Sequence, residues 1–291
     1  MKRYRSESGS LVDLYRQDCL EGMARMPEKS VDVIVTSPPY NLGIKYTKYD
    51  DTIRRTRYLA FMADWAAQAM RVLSDKGSLF LNVGSKPSDL EVPYKLVGVM
   101  TTHAGFRVQN VIHWVKSIAI RKEEAGGYPG IAGDVVVGHY KPINSMRFLN
   151  DCHEYIFHLT KDGNVELDRL AIGVPYQDKT NVGRWKKAGS DKHCRGNTWF
   201  IPYDTIRSRD TERPHPATFP VELPRRCVRL HGLSRAKLVL DPFLGIGTSA
   251  LACAELGVNF VGYEISQDYY AVACERLLNS PYGLTMLEEE S

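Results

Sequence analysis

The sequence predicts an α/β protein built on a doubly wound parallel sheet with helices on both faces, its strands read in permuted order. Two stretches, and their order along the chain, predict it. One is Val31-Asp32-Val33-Ile34-Val35 running into Thr36-Ser37-Pro38-Pro39-Tyr40; the other is Ala236-Lys237-Leu238-Val239-Leu240 running into Asp241-Pro242-Phe243-Leu244-Gly245-Ile246-Gly247-Thr248. Each opens as a short, mostly aliphatic run of the kind that forms a strand buried on both faces. In open α/β sheets, ligands bind outside the carboxyl ends of such strands. A doubly wound order places the Asp241 strand first, the strand ending at Tyr263 second, a strand leading to Asp18 third and the Ser-Pro-Pro-Tyr strand fourth. Here the first two stand near the C-terminus and the last two near the N-terminus, a circular permutation tolerated because chain ends lie on the surface.

Taken in order, Leu11 to Tyr15 reads as a strand, followed by Asp18-Cys19 and a helix ending near Pro27. The Val31 strand stops where two prolines fix φ and remove two backbone donors. Asn41 to Thr52 is polar and reads as a mobile loop. Phe61, Met62, Trp65, Ala69 and Leu73 fall three and four apart, so Ile53 to Leu73 is an amphipathic helix, closed by Asp75-Lys76-Gly77. Ser78 to Val83 is the next buried strand, Val92 to Ala104 a helix stopped at Gly105, and Val108 to Lys116 and Glu154 to Thr160 two further strands. Ser117 to Asn150 lacks periodicity and reads as a surface excursion. Ala236 to Leu240, a helix closed by Gly257, the strand Val258 to Tyr263 and a helix capped by Ser266 complete the chain.

A chain of 291 residues can bury a large core, and 43% hydrophobic with 25% charged residues is ordinary for a globular protein. No apolar run reaches the roughly 18 residues that span a bilayer, and Met1-Lys2-Arg3-Tyr4-Arg5 has no apolar segment behind it, so neither a membrane nor a secretory route is expected. Six cysteines, none in a Cys-x-x-Cys pair, argue against a metal site or disulfide framework and for a reducing cytoplasm. The net charge of +4 says less than its distribution. Lys179, Arg184, Trp185, Lys186, Lys187, Lys192 and Arg195 cluster against a single acid, Asp191. Such a run is usually a solvated face, and it is also what tracking a phosphate backbone requires.

Gly245-Ile246-Gly247-Thr248-Ser249-Ala250 lies between a strand and a helix, with Glu264 nineteen positions after Gly245. Glycines let the backbone approach a ligand, and the acid can accept from a ribose diol. That pattern also suits NAD. Asp241, however, sets a carboxylate where a pyrophosphate would be repelled, so S-adenosylmethionine, with its ammonium group, fits better.

The chain closely resembles the β class of S-adenosylmethionine-dependent DNA amino-methyltransferases, in which the catalytic motif precedes the cofactor motif. The matching pieces are Asp18-Cys19 with Ser30-Val31-Asp32, Thr36-Ser37-Pro38-Pro39-Tyr40-Asn41, His153-Glu154, Gly196-Asn197-Thr198-Trp199-Phe200-Ile201-Pro202, His215-Pro216-Ala217-Thr218-Phe219-Pro220 and Asp241 to Thr248. The resemblance implies a Rossmann-like methyltransferase sheet, with residues 1–160 its catalytic half, 161–213 a small basic target-recognition region and 214–291 its cofactor-binding half. It implies that Asp241, Phe243, Gly245 and Thr248, with Pro242 and Gly247 of the same turn, line the methionine and ribose side of the cofactor. Glu264 would hold the ribose hydroxyls, Asp18 and Cys19 flank the adenine, and Thr218 and Phe219 approach the methionine end. Duplex DNA is the implied partner; a cognate restriction endonuclease and a homodimer are compatible with the family but not readable from residues.

An exocyclic amine is a poor nucleophile because its lone pair is delocalised into the ring. Two acceptors against its N–H bonds, the Ser37 hydroxyl and the Pro38 carbonyl, would favour the pyramidal form, and their grip grows as charge develops on nitrogen. The stiff Pro38-Pro39 pair holds them, and Tyr40 is the ring on which a flipped base would stack. Within the family a Ser at this position is commoner among cytosine-N4 enzymes and an Asp among adenine-N6 enzymes, so cytosine N4 is favoured, with adenine N6 the alternative. A catalytically silent DNA-binding protein is the rival from another class; both anchors are intact, which speaks against it.

Overall fold

The computed structural model describes residues 1–44, 48, 50–126, 130–138, 145–184, 190–202 and 218–289. In chain order the elements are β1 (Lys2–Arg5), β2 (Leu11–Tyr15), α1 (Cys19–Arg25), β3 (Val31–Thr36), α2 (Arg55–Val72), β4 (Leu73–Val83), α3 (Val92–Thr102), β5 (Arg107–Val115), β6 (Ile118–Ile120), β7 (Val135–Val137), β8 (His153–Thr160), β9 (Thr198–Phe200), α4 (Glu222–His231), β10 (Leu238–Asp241), α5 (Thr248–Leu256), β11 (Asn259–Tyr263), α6 (Gln267–Leu278) and β12 (Thr285–Glu289). Ten strands form one sheet in the order β12-β1-β2-β11-β10-β3-β4-β8-β5-β9. The run β2-β11-β10-β3-β4 is parallel throughout, and β8 runs against both β4 and β5. The permuted order expected for the four anchor strands is the order observed.

Both faces of the sheet are covered, and the burial of β3 shows why its sequence is aliphatic. Val33 and Val35 face a core shared with Cys227 and Val228 of α4, Ala250 and Cys253 of α5 and Leu277 of α6. Ile34 faces the opposite core, shared with Met23 of α1, Met62 and Trp65 of α2 and Leu96 of α3. Each of these β3 side chains is 0–1% exposed, so each contributes about 1.5–3 kcal/mol of burial.

Several elements differ from the sequence expectation. β4 begins at Leu73, not Ser78, because the chain bulges between the pairs Val31–Leu73 and Val33–Ser78. Gly77 permits this: a Cβ there would stand 3.0 Å from the Asp32 carbonyl oxygen. The excursion after Ser117 holds a small antiparallel ladder, β6 with β7. Inside the basic region, Thr198-Trp199-Phe200 pairs parallel with β5 as the sheet's edge strand. The large buried surface of Trp199 and its indole N–H, which donates to the Gly196 carbonyl at 3.1 Å, anchor it there. Helix α4, absent from the expectation, buries Leu223, Cys227, Val228 and Leu230 at helical spacing, and two further short strands lie beyond β2, with β1 paired between β2 and β12 and β12 at the sheet's edge. No helix among the described residues is long and apolar enough to cross a membrane.

Candidate active site

The carboxyl ends of β10, β11 and β3 open onto one crevice, a cavity of ≈ 220 Å³. Ser37, Pro38, Pro39 and Tyr40 form one part of its wall. Pro242, Phe243, Gly245, Thr248 and Glu264 form another, and Asp18, Cys19, Thr218 and Phe219 also line it. Two motifs from opposite ends of the polypeptide therefore meet in space because β10 and β3 are direct neighbours, with Val239 beside Val33 and Leu240 beside Ile34.

The cofactor-side turn is shaped by left-handed backbone at Gly245 (φ 55) and Gly247 (φ 78). Glu264, at the end of β11, turns its carboxylate back into this turn: Oε2 accepts from the Gly245 amide at 2.9 Å and Oε1 from the Ser266 amide at 2.8 Å. Burial pushes its pKa up to about 7 against the pull of those amides. Phe243 stands against Phe61 and Trp65, with ring centroids 6.3 and 5.6 Å away. Asp18 caps α1 by accepting from the amides of Leu20 and Glu21. Cys19 is buried and its thiol is pushed up to about 12, chiefly by burial, so it is a packing residue and not a thiolate.

Two expected contacts are corrected. Asp241 does not present its carboxylate to the crevice; it is 1% exposed and turned inward. Its Oδ1 accepts from the Thr36 hydroxyl at 2.7 Å and the Phe243 amide at 3.1 Å, and its Oδ2 from the Ser249 hydroxyl at 2.6 Å. Burial outweighs these bonds and raises its pKa to about 6. Asp241 thus ties β3 to the cofactor turn and does not meet a ligand's charge. Gly247 also lies off the crevice. It faces α6, where a Cβ would meet Ala273 Cβ at 3.0 Å, so its smallness serves helix packing.

On the Ser-Pro-Pro-Tyr side, Tyr40 is 7% exposed and its hydroxyl lies 2.5 Å from Ser37 Oγ. The loop after it is tethered, not free, over its described residues. Asn41 takes a left-handed conformation (φ 56), and the buried Asp51 carboxylate accepts from the amides of Asn41, Leu42 and Ile44 at 2.7, 2.9 and 3.0 Å. Arg55 adds bonds to the carbonyls of Tyr40 and Asn41, both at 3.3 Å. These partners stand ten or more residues from the motif and act through backbone atoms, which leaves no side-chain pattern to read.

The basic run is only partly described. Lys179 is exposed and pairs with Asp191; Arg184 and Lys192 are exposed. Arg195 differs: it is half-buried, and its Nε donates to the Ile172 carbonyl at 3.0 Å. Trp185, Lys186 and Lys187 lie outside the described residues, as do His215, Pro216 and Ala217.

A permuted, doubly wound sheet with an adenosine-type turn and a Ser-Pro-Pro-Tyr wall in one crevice defines a methyltransferase of the Rossmann-like class. The family model described as DNA methylase, of the N6/N4 type, matches residues 31–275, and the chain belongs to that family. It is 26% identical to the type II methyltransferase M.HpaI of Haemophilus parainfluenzae over 94% of this chain and 76% of that protein. It is 29% identical to the type II methyltransferase M.Cfr9I of Citrobacter freundii over 95% of this chain and 91% of that protein. Among solved structures, the cytosine-N4-specific PvuII DNA methyltransferase superposes with a TM-score of 0.64 at 17% identity, covering 95% of this chain and 90% of that one. M1.HpyAVI in complex with S-adenosylmethionine superposes at 0.53 and 19% identity, over 91% and 99%. The chain is therefore a DNA methyltransferase, and S-adenosylmethionine is its methyl donor. The crevice suits that group: aromatic walls from Phe243 and Tyr263, a carboxylate at Glu264 for hydroxyl donors, and backbone at Gly245 bare of side chain.

Proposed function

We propose that this enzyme methylates the exocyclic amine of a base swung out of duplex DNA, and that the base is cytosine, modified at N4. The observation that carries the proposal is that Ser37 and Pro38 share one crevice with Phe243, Gly245 and Glu264. Bound S-adenosylmethionine supplies an electrophilic methyl group on a sulfonium. Glu264 accepts from the ribose hydroxyls, Asp18 and Cys19 border the adenine, and Thr218, Phe219, Phe243 and Thr248 enclose the methionine side. The Ser37 hydroxyl oxygen and the Pro38 carbonyl accept from the two amine N–H bonds. That holds the nitrogen lone pair free and toward the donor side of the crevice, an orientation worth several kcal/mol of barrier. Pro39 keeps the wall stiff, and Tyr40 gives it an aromatic face. The alkylated nitrogen is acidic enough to lose its proton to water, so no strong base is required.

Serine at position 37, together with the likeness to a cytosine-N4-specific structure, favours cytosine over adenine. Residues 161–213 we assign to target recognition, with Lys179, Arg184 and Lys192 toward phosphates. We also propose a restriction endonuclease cutting the same site as a partner, a reading supported by the type II methyltransferases among the relatives. Mass analysis of nucleosides from DNA incubated with the enzyme and S-adenosylmethionine tests the reading. N4-methylcytosine is expected; N6-methyladenine would reassign the base, and no methylated nucleoside would overturn the reaction.

A further inference from the structure

The His153-Glu154 pair that opens β8 has no part in the reaction proposed above, yet Glu154 reaches its centre. Because β8 runs antiparallel to β4, with Tyr155 beside Val83, its first residues lie at the same edge of the sheet as the carboxyl end of β3. The Glu154 side chain is 12% exposed and Lys116 lies 3.0 Å from its Oε1. Its Oε2 accepts from Asn82 Nδ2 at 2.8 Å and from the Tyr40 hydroxyl at 3.2 Å. Asn82 Nδ2 also donates to the Tyr40 oxygen at 2.8 Å. The Asn82 amide is turned this way although its buried Oδ1 has no hydrogen-bond partner among the described residues.

Tyr40 carries a single hydroxyl proton with two acceptors in reach, Ser37 Oγ at 2.5 Å and Glu154 Oε2 at 3.2 Å; the carboxylate is the stronger acceptor, and the proton is assigned to it. The 2.5 Å contact between Tyr40 and Ser37 is then a hydrogen bond only if Ser37 donates. The one proton of Ser37 is thereby directed away from substrate, and its oxygen, which Asn82 Nδ2 also reaches at 3.4 Å, faces the crevice as an acceptor. Gly84 is a second, independent sign that the contact is built: a Cβ there would stand 3.1 Å from both Tyr40 Cε2 and Glu154 Cδ, so the approach of these two side chains needs a residue without one.

We infer that Glu154, held by Lys116 and Asn82, is a positioning residue that fixes the proton direction of Ser37 through Tyr40, so that the site presents two acceptors and selects a base bearing an amine over one bearing a carbonyl. The inference rests on the reaction proposed above and names the device that makes Ser37 an acceptor. In Glu154→Gln the new amide can donate to Tyr40. The phenol proton then turns to Ser37, and the serine proton swings out against the amine.

The test uses tritiated S-adenosylmethionine and genomic DNA from a methylase-deficient bacterium, with the full chain, Glu154→Gln, Tyr40→Phe and the double variant. Glu154→Gln should lower kcat at least 30-fold while KM for DNA and Kd for S-adenosylmethionine stay within threefold. In the Tyr40→Phe background, where the relay is already cut, the same substitution should change kcat less than threefold. A Glu154→Gln enzyme within threefold of the parent kcat, or a full-sized effect on top of Tyr40→Phe, overturns the inference. Should Glu154→Gln fail to fold, Gly84→Ala decides, since it presses on the contact without altering either side chain: a tenfold loss of kcat with cofactor binding intact supports the inference, and unchanged turnover overturns it. A parent chain that transfers no label sinks the reaction itself, and this inference with it.

Discussion

Thr36 donates its hydroxyl to Asp241 at 2.7 Å across 205 positions of sequence, and this bond joins the two halves of the crevice. Thr36 immediately precedes Ser37, and Asp241 opens the cofactor turn, so one buried carboxylate adds to the β3–β10 pairing in tying the catalytic wall to the cofactor wall. Asp241→Ala strands two hydroxyls and one amide and should cost about 2–4 kcal/mol of stability in urea denaturation. Asp241→Asn keeps an acceptor for Thr36 and Phe243 and removes a desolvated charge, so at pH 8 it should be at least as stable as the parent. Weaker stability for the Asn variant than for the Ala variant would contradict the role.

Ser37→Ala removes one of the two proposed amine acceptors and touches nothing on the cofactor side. Label transfer to DNA should fall by 10²–10³-fold, the loss seen when one preorganised hydrogen-bonding partner is deleted. Binding of S-adenosylmethionine, followed by calorimetry, should stay within about threefold of the parent, since ground-state cofactor contacts are unchanged. Methylation at the parent rate would remove Ser37 from the mechanism.

The strand order and both walls of the crevice were legible because they are written in backbone chemistry: aliphatic runs that must be buried, ended by prolines or glycines that must turn. Side-chain direction was not. Asp241 looks from sequence like a charge offered to a ligand, and only the positions of Thr36 and Ser249 show it facing inward. Glu154 was visible as part of a motif but not as a partner of Tyr40, because that contact depends on β8 running antiparallel to β4. Strand β9 is three residues long, too short for any periodicity, and is held by Trp199.

Two buried histidines make stability depend on pH. Asn110 donates to His158 Nδ1, so His158 Nε2 carries the proton that Ser78 accepts, and Ser78 Oγ is in turn hydrogen-bonded to His231 Nδ1 at 2.9 Å. Burial lowers His158 to about 3 and His231 to about 4. Both are depressed bases, so their contribution is complete above the unfolded value near 6.5 and is lost as pH falls toward 4 and 3. Asp241 and Glu264, raised to about 6 and about 7, act in the opposite sense: their contribution is complete below about 4 and is lost as pH rises through 6 and 7. Between pH 7.5 and 5 each pair moves stability by about 3–4 kcal/mol, so the parent should change little. His231→Gln, whose amide can still hydrogen-bond Ser78, should tip the balance and grow more stable on acidification over that range. Denaturant midpoints at both pH values check this, and an unchanged pH slope would count against it.

Cofactor affinity should carry its own pH signature. Ribose hydroxyls donate, so they prefer the ionised form of Glu264, which burial has raised to about 7. Binding should therefore tighten by about tenfold from pH 6 to pH 8 and release a proton. Glu264→Gln should bind more weakly and lose that dependence. Calorimetry in buffers of different ionisation enthalpy counts the proton directly; a parent Kd flat across this range would show that Glu264 does not meet the ribose.

The cations of the basic region divide by where their side chains go. Lys192 and Arg184 are exposed, whereas Arg195 donates inward to the Ile172 carbonyl. Each phosphate contact contributes about 0.9 to the slope of log affinity against log salt on duplex DNA. Arg184→Ala and Lys192→Ala should each lower that slope by about 1 and weaken binding evenly across DNA sequences. Arg195→Ala should leave the slope near the parent value and instead cost about 1–3 kcal/mol of stability, because it strips a buried carbonyl of its donor. Fluorescence anisotropy on duplex DNA between 50 and 200 mM salt, on the order used for such slopes, separates the two classes. A loss of slope in Arg195→Ala with stability unchanged would reverse the assignment.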